Sequence, residues 1–297
     1  MAVPPAGPPV PPAPAGRPFG AVEPAPRPGP FSGARGRIAV VAAALALALV
    51  AWAVTGISDT DGTGRADPAA EARPNRSGAA KSPEASAEPK VPVTIAHLTE
   101  EGGNSVAITI DDGPDPRYTP PMLDILKARG VKAVFCMVGP AAKAHPQIVK
   151  RIVAEGHRLC DHSMSHDTGM DKKPVDYQRS QILDAQKLIE EAAGGTKVLY
   201  YRAPGGAFTP DSRRIAAIAG MRPLGWNVDS KDFTKPGTAK IVSTVKGEIG
   251  NGPTILFHDG GGDRTQTVAA LAQILDWLKE TGRPTGLPIV TAPEPAP

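Results

Sequence analysis

Two imidazoles stand four residues apart in His162-Ser163-Met164-Ser165-His166, a spacing that lets both rings face one point on a helical turn. With a carboxylate such as Asp112 they form a facial set of N and O donors with room for water, as catalytic zinc sites require. A pair at this spacing also arises by chance among the six histidines of the chain. Ile110-Asp111-Asp112-Gly113-Pro114 is more informative. Two adjacent acids after an apolar run repel one another and gain nothing from burial. Asp-Gly-Pro is good turn chemistry, so a solvated turn is the plain reading. The functional reading gives the two acids different partners, one a metal and the other a cation. Arg202, after another apolar run, is the natural cation, because it stays charged and can grip a carboxylate with two parallel hydrogen bonds. His258 closes the run Ile255-Leu256-Phe257. Asp229, at the end of a further run, could accept from one ring nitrogen of His258, raise its pKa and hold it as a proton donor. His145 and His157 have no partners in sequence and read as surface or structural residues.

The elements that must position these groups repeat one theme. Short apolar runs at Val106 to Ile110, Ala133 to Val138, Arg158 to Asp161, Val198 to Tyr201, Leu224 to Val228 and Thr254 to Phe257 predict strands, and Leu287 to Val290 could be a seventh. Amphipathic stretches between them predict helices at Pro121 to Ala128, Ala141 to Ala154, Val175 to Ala193, Thr238 to Ile249 and Thr265 to Glu280. Another helix is opened by Thr209-Pro210-Asp211, a cap residue followed by proline in the first turn. Strands alternating with helices imply parallel βαβ units, in a barrel or a long open sheet. Asp111 and Asp112, His162 and His166, Arg202, Asp229 and Asp232, and His258 all fall at the C-terminal ends of predicted strands. In a parallel barrel those ends converge on one face, where active sites are built.

Only about two hundred of the 297 residues carry this pattern. Residues 1–37 hold 12 of the 34 prolines and read as a disordered tail. Residues 38–57, IAVVAAALALALVAWAVTGI, are twenty residues without a charge, about the length that spans a bilayer. Arg35 and Arg37 precede them and Asp59 and Asp61 follow, so the positive-inside bias puts the tail in the cytoplasm and the rest outside. A signal peptide cleaved near Ala51-Trp52-Ala53 is the alternative, giving a secreted protein, although the polar region before the apolar run is long for one. Residues 58–90 have a linker composition, leaving 91–297 as the folded domain. Beyond residue 90 the chain has 24 basic and 23 acidic side chains, with no basic block to track a phosphate backbone; nucleic-acid binding is thereby disfavoured. Cys136 and Cys160 are the two cysteines. They fall on neighbouring predicted strands, so a disulfide is possible outside the cytoplasm; two small buried apolar side chains is the competing reading.

Taken together the motifs resemble those of the polysaccharide deacetylase family, the carbohydrate esterases that share the chitooligosaccharide deacetylase homology domain. Thr109-Ile110-Asp111-Asp112-Gly113-Pro114 resembles the first family motif, and His162 to His166 matches the second. Arg202-Ala203-Pro204-Gly205-Gly206 resembles the third. Asp229-Ser230-Lys231-Asp232-Phe233 resembles the fourth, which usually ends in Trp, and Leu256-Phe257-His258 matches the fifth. They occur in the family's order across about residues 104–291. The resemblance implies a distorted (β/α) barrel, commonly of seven parallel strands, and a divalent metal, most often zinc, on Asp112, His162 and His166. It further implies Asp111 as general base paired with Arg202, and His258 as general acid tuned by Asp229. The N–H of Gly205 would stabilise the oxyanion, and Leu256 and Phe233 would line the acetyl pocket, with Phe for Trp bearing on substrate preference.

The expected reaction is metal-assisted hydrolysis of N-acetyl groups on a GlcNAc-containing polymer, peptidoglycan being favoured by location. Chitooligosaccharide and O-acetylated xylan are alternatives, because the motifs concern the acetyl group and say little about the sugar. A metalloprotease would place Glu after the first histidine, where Ser163 stands. A membrane-tethered, inactive glycan-binding module would show gaps among the polar positions, and none is missing.

Overall fold

The computed structural model describes residues 87–291. The expected tail at 1–37, the membrane anchor at 38–57 and nearly all of the 58–90 linker lie outside the described residues. Among those residues no helix is long and apolar enough to cross a membrane.

The alternating pattern folds into one parallel sheet. Its strands are β1 (Val106–Asp111), β2 (Ala133–Met137), β3 (Arg158–Asp161), β4 (Tyr200–Tyr201), β5 (Arg222–Pro223), β6 (Val228–Asp229), β7 (Thr254–His258) and β8 (Thr285–Gly286). Their order is β5-β4-β3-β2-β1-β7-β6, with the short β8 pairing the start of β1. The result is a curled half-barrel, the distorted form of the barrel expected. β1 and β2 are buried along their whole length, which is why they read as continuous apolar runs and not as alternating ones. One face packs Ile108, Ile110, Phe135, Met137, Leu159 and Phe257 against the helices. The other lines the lumen with Val134, Cys136, Cys160, Tyr200 and Leu224. Cys136 and Cys160 are register partners on β2 and β3 and form a disulfide inside that lumen.

Three expected elements change. The predicted strand Leu224 to Val228 does not form as one: β5 ends just before it and β6 begins at its last residue, and between them the carbonyls of Leu224 and Gly225 accept hydrogen bonds from the Arg202 guanidinium. At Leu224 the sheet is continued by Ala96 of the segment before β1, whose N–H donates to Pro223 and whose carbonyl accepts from Gly225. Leu287 to Val290 contributes no long strand; β8 lies just before it, and Pro288 makes an isolated antiparallel bridge with Thr99. The single helix expected over Ala141 to Ala154 is two, α2 (Gly139–Ala144) and α3 (Pro146–Ala154). Pro146 lacks the N–H a continuing helix needs and holds His145 out of the helical region, at φ −128° and ψ 54°.

The other helices are α1 (Thr119–Ala128), α4 (Val175–Ala192), α5 (Pro210–Ala219), α6 (Thr238–Glu248) and α7 (Thr265–Glu280). Thr209 caps α5 as its sequence requires. Its hydroxyl accepts from the Ser212 N–H, and its own N–H donates to the Ser212 hydroxyl, both at 2.9 Å. Phe135 is 1% exposed and packs the helix-facing side of β2. Phe135→Ala should cost about 3–5 kcal/mol in urea unfolding; an unchanged midpoint would contradict this assignment of the core.

Candidate active site

The C-terminal ends of β1, β3, β4, β6 and β7 converge on one face, and their polar side chains line a cavity of about 320 Å³. Asp111, Asp112, His162, His166, Gly205, Leu256, Phe233, His258 and Asp229 all border it, joined by Thr168, Ala203 and Trp226. Arg202 lies behind this wall.

The two acids of β1 divide as electrostatics demands. Asp111, 2% exposed, accepts a 2.7 Å hydrogen bond on Oδ1 from Nη1 of Arg202, which is fully buried. The same Nη1 donates to the Thr109 hydroxyl, while Nε and Nη2 hold the carbonyls of Leu224 and Gly225. Asp112 adopts a left-handed backbone, φ 79°, which turns its carboxylate away from its neighbour's partner. Its Oδ1 is buried with no hydrogen-bond partner, 3.1 Å from Nε2 of His166 and 3.5 Å from Nε2 of His162.

The two histidines meet by a different route from the helical turn expected. Residues 162–166 form a loop in which Ser163 and His166 are left-handed, φ 68° and 52°. The Ser163 N–H donates to Oδ1 of buried Asp161, and the Ser163 hydroxyl accepts from the His166 N–H. The rings approach to 5.0 Å between centroids. Nδ1 of His162 lies 2.8 Å from the Arg202 carbonyl, which fixes that nitrogen as donor and leaves Nε2 with its lone pair facing the cavity. Burial depresses the His162 pKa, outweighing the pull of Asp111 and Asp112, so the ring is held neutral. The Asp112 carboxylate, 3.1 Å away, raises that of His166. Burial pushes Asp112 up, but the imidazoles of His166, His162 and His258 together hold it well below the carboxylate range. One donor atom from each of Asp112, His162 and His166 lies within 4.8 Å of the others. Two imidazole nitrogens and an oxygen without a hydrogen bond are a donor set that suits a divalent cation.

His258 does not use Asp229. Its Nδ1 lies 2.7 Å from Oδ1 of Asp232, and its backbone N–H donates to Oδ2 of the same carboxylate at 2.9 Å. Asp229 instead closes a local turn, accepting the Lys231 N–H at 2.9 Å and the Lys231 ammonium at 2.6 Å. Asp232 is 1% exposed and also accepts from the hydroxyls of Ser230 and Thr267. Burial alone would lower the His258 pKa, but Asp232, reinforced by Asp111 and Asp112, raises it above its ordinary value. The same pairing keeps Asp232 below its ordinary value in spite of burial. The raised pKa means that this pair supports folding fully below the ordinary histidine value and loses that support as pH rises through the shifted one.

Around these groups, Leu256 is buried at the cavity floor, whereas Phe233 is 46% exposed at its rim with its ring edge-on to His258, 5.7 Å between centroids. Gly205 borders the cavity at φ 61°, with Thr168 close against it. Trp226 forms a wall that sequence reasoning missed, its ring 5.6 Å from the Arg202 guanidinium. Behind Gly113, Asp259 is fully buried; burial pushes its pKa up to about 7 although the Thr119 hydroxyl bonds Oδ2 at 2.5 Å. A Cβ on Gly113 would collide with that carboxylate, so the Asp-Gly-Pro turn closes only over glycine.

Residues 99–224 match the polysaccharide deacetylase family. A peptidoglycan-N-acetylglucosamine deacetylase of Bacillus cereus is 39% identical over 182 residues, 60% of this chain and 83% of the relative. The chain belongs to the polysaccharide deacetylase family. A chitooligosaccharide deacetylase of Sinorhizobium fredii is 37% identical over 191 residues, 61% of this chain and 88% of that one. Among solved structures, a peptidoglycan N-acetylglucosamine deacetylase superposes with a TM-score of 0.61 at 33% identity, over 65% of this chain and 90% of the other. Membership makes the chain a hydrolase of acetyl groups, and its half-barrel is the family's.

Replacing Asp232 by Asn should bring the His258 pKa down toward 6.5, whereas Asp229→Asn should leave it in place. Histidine ring NMR across a pH titration reads the difference directly. A shift in the second variant and none in the first would restore Asp229 as the partner.

Proposed function

We propose that the chain removes N-acetyl groups from a GlcNAc-containing polysaccharide, with a divalent metal, zinc by its N,N,O donor set, on Asp112, His162 and His166. The carrying observation is the meeting of those three donor groups, within 4.8 Å, beside an acid held by arginine and a histidine held by an acid. When bound, such a cation supplies a Lewis acid for the acetyl carbonyl and acidifies a water. Asp111 would serve as the base that takes a proton from the attacking water. Arg202, whose same nitrogen also bonds Thr109, holds Asp111 through Oδ1 and leaves Oδ2 turned toward the site, 3.6 Å from Nε2 of His162. The Gly205 N–H is offered to the developing oxyanion. His258, its pKa raised and its ring oriented through Nδ1 by Asp232, keeps Nε2 for the departing amine. That amine is a poor leaving group until protonated, so an acid is required. Leu256, Trp226 and Phe233 give the acetyl methyl an apolar enclosure.

Peptidoglycan is the substrate we favour. The Bacillus cereus relative is named for it, and residues 38–57 read as a membrane anchor that leaves the domain extracytoplasmic. On a linker of about thirty residues the mean reach is about 30 Å, at ~5–6 Å × √n, which confines the enzyme to nearby wall polymer. Chitooligosaccharide is the second reading, supported by the Sinorhizobium fredii relative.

Acetate release from peptidoglycan, chitooligosaccharide and acetylxylan should be greatest on peptidoglycan, cease after chelation and return with zinc. Asp111→Asn should lower the rate by about 10²–10⁴-fold, the usual worth of a general base. Equal release by the variant and the parent would refute the base assignment.

A further inference from the structure

Arg264 is a charged side chain for which the proposed reaction has no use, yet it is 3% exposed beside the site. It is the residue that precedes α7. Among the described residues its hydrogen bonds run to two main-chain carbonyls. Nε donates to Gly260 at 2.6 Å, and Nη1 reaches Asp232 at 3.5 Å. Taking a guanidinium out of water without a carboxylate partner is costly, so a buried arginine spent on carbonyls calls for a role at this place.

Its two partners lie on opposite halves of the site. Gly260 and Gly261 follow His258 and press on Asp112. A Cβ on Gly260 would collide with the Asp112 main chain, and one on Gly261 would stand 3.0 Å from Asp112 Oδ2 and 3.2 Å from Arg264 Nη2. The second partner, Asp232, carries the carboxylate that grips His258 through both Nδ1 and the backbone N–H. Thr267, one turn further along α7, donates its hydroxyl to Asp232 Oδ2 at 2.9 Å. The start of α7 therefore touches both halves through Arg264 and one half through Thr267.

We propose that Arg264 is a positioning residue. It clamps the Gly260–Gly262 loop onto Asp112 and the Asp232 turn beneath His258, and so fixes the spacing between the metal-holding carboxylate and the proton-donating imidazole. It touches neither substrate nor the reacting atoms. Its effect on turnover rests on the function proposed above, whereas its effect on Asp112 does not.

The test uses the full chain and four readouts: kcat and KM for acetate release from N-acetylated chitooligosaccharide, zinc affinity by competition with a chelator, and the thermal unfolding midpoint. Arg264→Ala should lower kcat and zinc affinity each by about 10–100-fold, the range for residues that orient metal ligands. KM should stay within about twofold, and millimolar guanidinium, but not ammonium, should restore part of kcat by refilling the same carbonyl contacts. Thr267→Val should lower kcat while leaving zinc affinity unchanged, since it reaches only the His258 half. Parental kcat and zinc affinity in Arg264→Ala would overturn the proposal. So would losses that track the unfolded fraction without rescue. Should that variant not fold, Arg264→Lys, which keeps the charge but loses the fork, must lose part of both kcat and zinc affinity; parental values in it overturn the proposal equally. Parental protein that releases no acetate would instead refute the proposed function, and the zinc measurements would still decide the role of Arg264.

Discussion

The site depends on a guanidinium buried in the barrel lumen. Arg202 brings its charge into a space walled by β1, β4 and the Leu224–Gly225 segment, where Asp111 is the carboxylate that answers it. Such a pair is weak support for stability in itself, but removing one member leaves an uncompensated buried charge, at a cost of about 3–5 kcal/mol. The arrangement consequently fixes geometry. Arg202 spends its remaining donors on the carbonyls of Leu224 and Gly225, between β5 and β6. Its own carbonyl orients His162. One residue thus ties Asp111, the His162 ring and the seam of the sheet into a single unit.

The adjacent acids of β1 show how a repulsive pair becomes a division of labour. Identical charges on successive residues cannot share a burial site. The left-handed turn at Asp112 sends the second carboxylate toward the two imidazoles while the first stays with arginine. Asp259, buried behind the same turn and pushed toward neutrality, adds no full charge to that crowded corner. The absence of a side chain at Gly113 is what lets these three carboxyl groups occupy so small a volume.

Much of this was legible in the residues. Apolar runs, each buried on both faces, located β1, β2 and β7, and titratable groups at their ends marked the reactive face. That one of the two acids pairs with Arg202 followed from charge; that it is Asp111 came from the family resemblance. Asp229 and Asp232 could not be told apart in that way, because both stand in one short cluster. What separates them is an Asx-type turn in which Asp229 is consumed by Lys231 two residues on, a local competition that periodicity does not register. Trp226 and Thr168 reach the cavity from loops whose course no repeat predicts. Arg264, in a glycine-rich segment before a helix, has the sequence context of a solvated charge; only the packing of α7 against the Asp232 turn makes it interior.

The paths of the chain at either limit of the described domain have a geometric consequence. Residues 87 and 90 are tied to Arg214 and Ala217 near the end of α5, and Pro288 accepts from Arg158 at the beginning of β3. Both connections lie where strands start, whereas the reactive groups stand where strands finish. The described chain therefore enters and leaves on the side of the sheet opposite the reactive groups, which leaves the mouth of the cavity clear of both connections.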